Sequence, residues 1–314
     1  SMISEEKRVQ RMIEVSRLYY EENCSQKVIA ERLHISRPLV SVILNEAKEC
    51  GIVTITIKDA VITAEQVIDK LKKSYGIDTV ITALDDTNDD LTNRRIAEAG
   101  YNYCFGRSND GKRIGVGWGS IIGKMADYAE TLEDPGEKRG AIFPLTGGVN
   151  SVTRGYHTNE LVRIFSLKTG RQPYFLYMPA LNETPTELEY LKQTEQFSTI
   201  EDEWEYMEQA VVSISNFPSY PDLGVRSIYG NALIEKKAVG RILAYYYDSY
   251  GKIISPVTES TLQASIKQLR QTDVVAVCSN QVKPQSVIGA LRTGIIDKLV
   301  ISRGLAEKVA LVTY

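Results

Sequence analysis

The sequence predicts an α/β protein with a small N-terminal three-helix head and a larger, doubly wound, mostly parallel α/β body. The first 58 residues hold three amphipathic helical patterns and one short segment of strand-like alternation. From residue 59 onward, short segments rich in Val, Ile and Leu alternate with helical stretches, which is typical of a parallel sheet with crossover helices. The pattern changes within 59–64, so we expect two domains, 1–58 and 59–314.

Three helices are expected in the head. Apolar residues spaced three and four apart predict the first helix over residues 3–23. Ser25 is positioned to cap a second helix that ends near Leu33, and Ser36 to cap a third. Because Leu33 and Ser36 are so close in the chain, the second and third helices must meet at a tight turn.

The third helix has its own start and stop signals. Pro38 falls in its first turn, where a missing backbone N–H costs nothing, and Gly51 is expected to end it. Residues 52–58 then alternate apolar and polar side chains, which predicts a short strand.

The body is expected to alternate strands and helices. Strands are predicted at 78–84, 113–118, 140–146, 173–178, 210–215, 273–279 and 297–302, and helical stretches at 63–74, 91–106, 120–131, 157–169 and 285–293. The helix at 63–74 could be a linker that joins two chains in a dimer, or a simple crossover.

The charge balance of the sequence shows that the protein is not strongly basic. The net charge is −3, and the head carries nine basic and eight acidic residues, a net of +1. Nucleic-acid affinity would therefore depend on where the charges point and on dimerisation rather than on bulk attraction.

Cysteine and histidine usage argues against metal and disulfide chemistry. The four cysteines are far apart in sequence and only two histidines are present, so we expect reduced cysteines in a cytoplasmic protein, with no metal and no cofactor. No run of about 18 apolar residues is present, so no membrane span is expected.

The tight turn in the head is the sequence form of a helix-turn-helix, which binds DNA by placing the second helix in the major groove. Short hydrogen-bonding side chains and one basic residue are suited to the start of such a helix. The candidate DNA-binding residues are Ser25, Gln26, Ser36, Arg37, Pro38, Ser41 and Asn45. Two alternatives stay open: any small three-helix bundle has such a corner, and the head could contact a protein instead of DNA.

Two glycine-rich loops follow predicted strands of the body. Gly117, Gly119 and Ser120 lead from a strand into a helix, and they could bind an anion through backbone N–H groups and the helix N-terminus. The GxGxG spacing does not fit a dinucleotide-binding motif. The loop after the next strand, with Thr146, Gly147, Gly148 and Asn150, could form a second backbone nest. The glycines could equally serve packing alone.

The head segment RLYYEENCSQKVIAERLHISRPLVSVILNEAKECGIVTITI resembles the DNA-binding head of the SorC family of transcriptional regulators, in particular its deoxyribonucleoside-regulator branch. Four motifs in the body continue the resemblance: RIGVGWGSII, PLTGGVN, AVGRILAYYYDSYG and AVCSNQVKPQSVIGAL. The resemblance implies a body similar to sugar-phosphate isomerase and CoA-transferase-like domains, a phosphorylated sugar as effector, operator DNA as partner, and a homodimer or homotetramer.

The resemblance also implies effector roles for particular residues. His157, Asn159 and Lys283 match family effector positions, although His157 could be a capping or packing residue. Thr146 stands where close relatives carry lysine or arginine, so a Schiff base with deoxyribose phosphate is not expected. Arg241 stands where the family usually has an acid; it suits a carboxylate or a second phosphate, and it could otherwise be a surface helix residue.

A third departure from the family is Ser279-Asn280, where two glycines are usual, and it is expected to narrow or re-aim that loop. Taken together, the sequence predicts a repressor of a carbohydrate catabolism operon that responds to a phosphorylated sugar, sugar acid or polyol. The alternative is a sugar-phosphate isomerase-like enzyme, but such chemistry needs a positioned base, and Arg241 occupies the position that could supply an acid. No catalytic residues are assigned.

Overall fold

The computed structural model describes residues 2–55, 63–135, 139–219 and 226–311. The head consists of α1 (Met2–Tyr20), α2 (Gln26–Leu33) and α3 (Arg37–Glu49). The Ser25 hydroxyl accepts a hydrogen bond from the Val28 N–H at 3.2 Å and the Ser36 hydroxyl accepts one from the Leu39 N–H at 3.3 Å. Both caps therefore form at the positions that the sequence predicts.

The strand predicted at 52–58 is wrong where it can be compared. Ile52 and Val53 form a bend, 54–55 have no regular structure, and 56–58 lie outside the described residues. The Val53 N–H donates to the carbonyl of Ala47 at 3.0 Å, and Ile52 and Val53 pack against the core of the head. The segment folds back on α3 and has no neighbouring strand to pair with.

The body is built on one mixed sheet. Its strands are β1 (Thr79–Ala83), β2 (Arg113–Val116), β3 (Ala141–Pro144), β4 (Gln172–Pro173), β5 (Gln209–Asn216), β6 (Ala238–Ile242), β7 (Tyr245–Asp248), β8 (Asp273–Val277) and β9 (Lys298–Ser302). Seven of them run parallel in the order β1-β9-β8-β5-β2-β3-β4, and β6 and β7 form an antiparallel hairpin that pairs with β5. The predicted class, a mostly parallel α/β body, is confirmed.

Two differences from the predicted strands concern the site described below. The hairpin β6–β7 is not among the predicted strands, because Gly240 and Arg241 interrupt the apolar segment of β6. The strand predicted at 173–178 is reduced to Gln172–Pro173, since side chains capture the following N–H groups: Leu176 donates to Asn159 and Tyr177 to Gln196.

Helices cover both faces of the sheet. They are α4 (Ala64–Tyr75), α5 (Asp89–Cys104), α6 (Ser120–Glu130), α7 (Thr158–Thr169), α8 (Pro185–Lys192), α9 (Glu195–Tyr206), α10 (Arg226–Tyr229), α11 (Ala232–Glu235), α12 (Ile266–Arg270), α13 (Pro284–Arg292) and α14 (Arg303–Leu311). Successive residues of β8 enter opposite core clusters, Val274 on one face and Val275 on the other. A strand that is buried on both faces explains the near-continuous apolar segments of the sequence.

The apolar face of α4 packs within its own chain. Val67 and Leu71 are buried in the main core of the body, and α4 lies against α14 and β1. That face is therefore not available to a second copy, which favours the crossover interpretation of this helix over the dimer-helix interpretation.

The sheet has a topological switch point between β2 and β5. From β2 the chain proceeds outward through β3 and β4, whereas β5 leads to β8 and β9 on the other side. In open α/β sheets, ligands bind beyond the carboxyl ends of the strands at such a point.

Candidate functional site

The loop after β2 lies at the switch point. Gly117 donates its N–H to the Val211 carbonyl at 2.8 Å, and the Ser213 hydroxyl donates to the Trp118 carbonyl at 2.6 Å. These two bonds tie the loop to β5. Gly119, with φ +141°, donates its N–H to the Gly155 carbonyl at 2.9 Å.

The N–H groups of Gly117 and Gly119 are therefore used within the protein and cannot bind an anion. What the loop offers a ligand is the first turn of α6, which begins at the exposed Ser120 and whose N–H groups have no partner inside the helix. The glycines serve close packing, since a Cβ on Gly117 would stand 2.7 Å from Leu243. The packing interpretation therefore fits these two residues, and anion binding by this loop stays a prediction for the first turn of α6.

The second predicted nest has a similar outcome. Gly147 donates its N–H to the Leu262 carbonyl at 3.0 Å and Gly148 donates to the Met178 carbonyl at 2.8 Å. Neither N–H is free for a ligand, so the prediction of a backbone nest is wrong for this pair. The reason is that two neighbouring loops, distant in sequence, supply carbonyls to both groups.

The remaining residues of that loop differ in exposure. Thr146 is fully buried, and its hydroxyl has no hydrogen-bond partner among the described residues. Asn150, four residues later, is exposed. A buried polar atom without a partner is uncommon in folded proteins and calls for an explanation.

His157 and Asn159 have local partners. The exposed His157 ring contacts the Ser151 carbonyl through Nε2 at 2.7 Å. The Asn159 amide both donates to the Leu176 carbonyl, at 3.1 Å, and accepts from the Leu176 N–H, at 2.9 Å. Asn159 therefore holds the segment after β4 in place, while His157 faces solvent at the rim.

Arg241 is the fourth of the five residues of β6 and is 1% exposed, which rules out the surface-helix interpretation. Its register partner on β5 is Ser215. One guanidinium N–H group donates to the Leu243 carbonyl at 3.3 Å and another to the Tyr156 hydroxyl at 2.9 Å, and the guanidinium carbon stands 5.6 Å from the centre of the Tyr156 ring. Its Nε is buried without a hydrogen-bond partner among the described residues.

Two aromatic residues complete this cluster, and sequence reasoning did not single them out. Trp118 donates its indole N–H to the same Leu243 carbonyl at 3.3 Å, and its ring lies 5.8 Å from that of Tyr156. The hairpin β6–β7 brings Arg241 over the switch point and against both rings. The available signal was the position of each aromatic residue, Trp118 between two glycines and Tyr156 immediately before His157.

Lys283 lies apart from this cluster. It is the exposed residue before α13, and its N–H donates to the Asn216 side chain at 2.8 Å. Asn216 pairs with Gly240 of β6, so Lys283 connects to the strand of Arg241 through one residue. Its Cβ, however, lies beside Gly51 of the head, 3.5 Å from where a Cβ on that glycine would stand.

The Ser279-Asn280 loop is tied to its neighbours by side chains. Asn280 donates to Asp89, accepts from Ser302, and donates its N–H to Asn93 at 2.7 Å. This network fixes the carboxyl end of β8 against α5 and β9, which accounts for the polar residues at these two positions.

The predicted DNA-binding residues are accessible at the surface of the head. Ser25, Ser36, Arg37, Pro38 and Asn45 are exposed, and Gln26 and Ser41 are half-buried. Arg37 forms no ion pair with any residue that the structure describes. The structure adds Leu39 and Val42, which are 40% and 49% exposed on the same helix, and such side chains can contact thymine methyl groups.

The head also contacts the body. Lys237, immediately before β6, forms an ion pair with Glu49 at 2.6 Å, and Gly51 packs beside Lys283 and Gln285. A cleft of about 1500 Å³ separates α1 from the segment around Phe217 and Leu233. This cleft lies between head and body and is distinct from the Arg241 cluster. Burial raises the pKa of the Cys50 thiol at this contact to about 11, with the Glu46 carboxylate as a second cause.

The described ranges contain neither a candidate metal site nor a candidate membrane-spanning helix. Within residues 2–55, 63–135, 139–219 and 226–311, no group of three or more His, Cys, Asp or Glu side chains could hold a metal ion. No helix in these ranges is long and apolar enough to span a membrane.

Comparisons with known proteins identify relatives along nearly the whole chain. A family model described as "Putative sugar-binding domain" matches residues 60–310. The "Deoxyribonucleoside regulator" of Bacillus subtilis is 27% identical over 307 residues, covering 95% of this chain and 96% of that protein. The "Sorbitol operon regulator" of Klebsiella pneumoniae is 25% identical and covers 95% of this chain and 97% of that protein.

Solved structures share the fold. The full-length sorbitol operon regulator SorC of Klebsiella pneumoniae superposes with a TM-score of 0.69 and 24% identity, covering 96% of this chain and 99% of that one. A DeoR family transcriptional regulator from Listeria monocytogenes gives a TM-score of 0.66 and 24% identity over 78% of this chain and 99% of that one. The relatives are transcriptional regulators and not enzymes, as the sequence predicts. The chain belongs to the sugar-binding domain family of SorC-type transcriptional regulators.

Proposed function

We propose that this chain is a DNA-binding repressor of a carbohydrate catabolism operon, with residues 1–58 as the DNA-binding domain and 59–314 as the effector domain. The observation that carries the proposal is the combination of parts in one chain. An exposed helix-turn-helix precedes an α/β body whose switch-point loop ends at the N-terminus of α6. The names of the relatives support a sugar or polyol operon as the target.

The head binds operator DNA through the start of α3. The N-terminal turn of that helix carries Arg37 and Ser41, which are suited to base edges and phosphates. Ser25 and Ser36 already accept bonds as caps, and each hydroxyl keeps its hydrogen to donate to a phosphate oxygen. One such helix reads only a few base pairs, so we place two or four copies of the chain on paired half-sites.

The body binds a phosphorylated sugar, sugar acid or polyol at the switch point. The phosphate lies against the first turn of α6 and the Ser120 hydroxyl. Asn150 and His157 lie toward the exposed side, and Arg241, Tyr156 and Thr146 lie at the buried end. The threonine hydroxyl cannot form an imine, so the effector is held without a Schiff base at this position.

Effector binding reaches the head through β6. Arg241 stands four residues after Lys237, which forms an ion pair with Glu49 of α3. An effector changes DNA affinity only if it binds two arrangements of the protein with different affinity. A shift of β6 would move Lys237 and the Asn216–Lys283 connection together, and both reach the head. A DNA-bound regulator of this kind acts in the cytoplasm.

The test uses the full chain and a duplex enriched from a random library by binding to it. Fluorescence anisotropy is measured across a salt series, with and without a panel of aldose, polyol and aldonic acid phosphates. We expect sequence-selective binding that falls steeply with salt, because phosphate contacts release counterions. We also expect one class of compound to weaken the binding. Enrichment of no sequence would overturn the DNA-binding proposal.

A further inference from the structure

We infer that the effector carries a carboxylate in addition to a phosphate, and that Arg241 binds this carboxylate. The inference rests on the proposed function, in that it assumes a sugar-derived effector at the switch point. It is drawn from the burial of the Arg241 guanidinium and from its lack of an anionic partner among the described residues.

Arg241 is buried and lacks a matching anion. Its side chain is 1% exposed, and no carboxylate of the described ranges forms an ion pair with it. Its partners are a carbonyl, a hydroxyl and an aromatic ring, and none of them carries a negative charge. A buried charge without an opposite charge is costly to hold in a folded protein.

A second buried arginine shows what a purely structural guanidinium looks like in this chain. Arg171 is 2% exposed, and both its Nε and a terminal nitrogen donate to backbone carbonyls, those of Lys112 and Asn109. Burial lowers the pKa of Arg171, and the carboxylate of Asp110 opposes that shift. Arg241 differs in that its Nε has no hydrogen-bond partner in the described part of the chain.

The unpartnered groups around Arg241 indicate which kind of ligand atom would satisfy them. The unpartnered Nε requires an acceptor, and the unpartnered Thr146 hydroxyl can also donate to one. Thr146 is bridged to Gln263, whose side chain accepts from the Ala244 N–H. The orphan hydroxyl and the orphan Nε therefore belong to adjoining segments at the buried end of the site.

Charge balance selects a carboxylate over a second phosphate. A single guanidinium in a buried, aromatic-lined site neutralises one negative charge, whereas a phosphate monoester carries close to two. The phosphate is better placed at the exposed first turn of α6, where water and helix N–H groups share its charge. The ligand class that fits both ends is a phosphorylated sugar acid.

The test compares ligands that differ only at the oxidised carbon. Isothermal titration of the full chain uses four- to six-carbon phosphorylated aldonic and uronic acids, each beside the polyol or aldose phosphate of the same chain. We expect at least one acid to bind about ten- to a hundredfold more tightly than its counterpart without the carboxylate, as for a charge-assisted hydrogen bond. The variant Arg241→Gln should lose this preference, so that the acid and its counterpart bind with equal affinity.

A second variant and a comparison of outcomes separate failure of the carboxylate inference from misfolding and from failure of the proposed function. Arg241→Lys keeps the charge without the planar fork, so it should fold even if Arg241→Gln does not, and it should retain only part of the preference. Equal binding of the acids and of their counterparts without the carboxylate by the unmodified chain would overturn the carboxylate inference and leave the proposed function standing. Binding of no phosphorylated compound would overturn both.

Discussion

At the scale of single residues, the distance to neighbouring atoms decides whether a side chain can be accommodated. Gly147 and Gly148 are adjacent, and both lie in ordinary backbone conformations. A Cβ on Gly147 would stand 2.6 Å from backbone atoms of Met178 and Ala180, whereas one on Gly148 would meet its nearest atom at 4.0 Å. The two positions look alike in the sequence and differ only in the folded protein.

Gly147→Ala should therefore destabilise the body and Gly148→Ala should not. The backbone clash cannot be relieved by a rotamer change, so we expect a loss of about 1–3 kcal/mol in the free energy of unfolding for Gly147→Ala. Thermal and urea unfolding of both variants measure it. Comparable stability of the two variants would show that the loop moves freely.

Lys283 is a second residue-scale prediction. Replacement by Ala should abolish the response to effector and spare DNA binding, since Lys283 is exposed and its backbone N–H bond to Asn216 does not depend on the side chain. DNA release by effector is the measurement. An unaltered response would remove the Lys283 side chain from the effector site.

At the scale of elements, the position of α3 in the head follows from its own sequence. Its buried stripe consists of Val40, Ile43, Leu44 and Ala47, and its cap is Ser36. These positions hold the helix against α1 and α2, so the residues between them face outward. Local rules of capping and periodicity are sufficient for this arrangement.

Arg37→Ala should weaken operator binding and leave effector binding unchanged. If Arg37 contacts one phosphate, the slope of log affinity against log salt should fall by about 0.9. Anisotropy across a salt series gives the slope, and titration with effector is the control. Loss of both activities would indicate misfolding of the chain.

At the scale of the whole molecule, the head rests on the body through a small contact. The ion pair of Lys237 with Glu49 is largely exposed, and such pairs contribute less than about 1 kcal/mol. A contact of this strength can be broken and remade during regulation. Cys50 reports on it, because its thiol is half-buried at the contact.

Lys237→Glu should release the head, because it places a third acidic group beside Glu46 and Glu49. We expect several-fold faster alkylation of Cys50 in a Cys24→Ser background, followed by mass spectrometry. Lys236→Glu is the matched control, because Lys236 is also exposed but has no ion pair with the described part of the head. Combining Lys237→Glu with Glu49→Lys should restore slow alkylation; failure to do so would show that the ion pair does not hold the head.

The Cys50 thiol also predicts a pH dependence. Its pKa is raised from 9.0 to about 11 in the folded chain, so the folded state favours the neutral thiol. Stability from this group is fully present below pH 9 and should decline as pH rises toward 11, where the unfolded chain ionises first. Chemical unfolding at pH 8 and pH 10, with Cys50→Ser as control, measures the difference.

The helices and most strands could be predicted because their signals are local. Ser25 and Ser36 cap their helices independently of tertiary contacts, and the parallel strands can be recognised by their continuous apolar residues. The hairpin β6–β7 could not be predicted, since Gly240 and Arg241 interrupt the apolar segment of Ala238–Ile242. The bonds of the Gly147 and Gly148 N–H groups also escaped prediction, because their acceptors lie at least thirty residues away in sequence.

By itself, the sequence determined the class of protein, the turn between α2 and α3, and the two glycine-rich loops that follow β2 and β3. Caps, glycines and hydrophobic periodicity act over a few residues, so they can be interpreted without a fold. Only the tertiary structure decided the chemistry of the site. Arg241, Tyr156 and Thr146 come from three separate segments, and burial without a partner is a property of the folded chain alone.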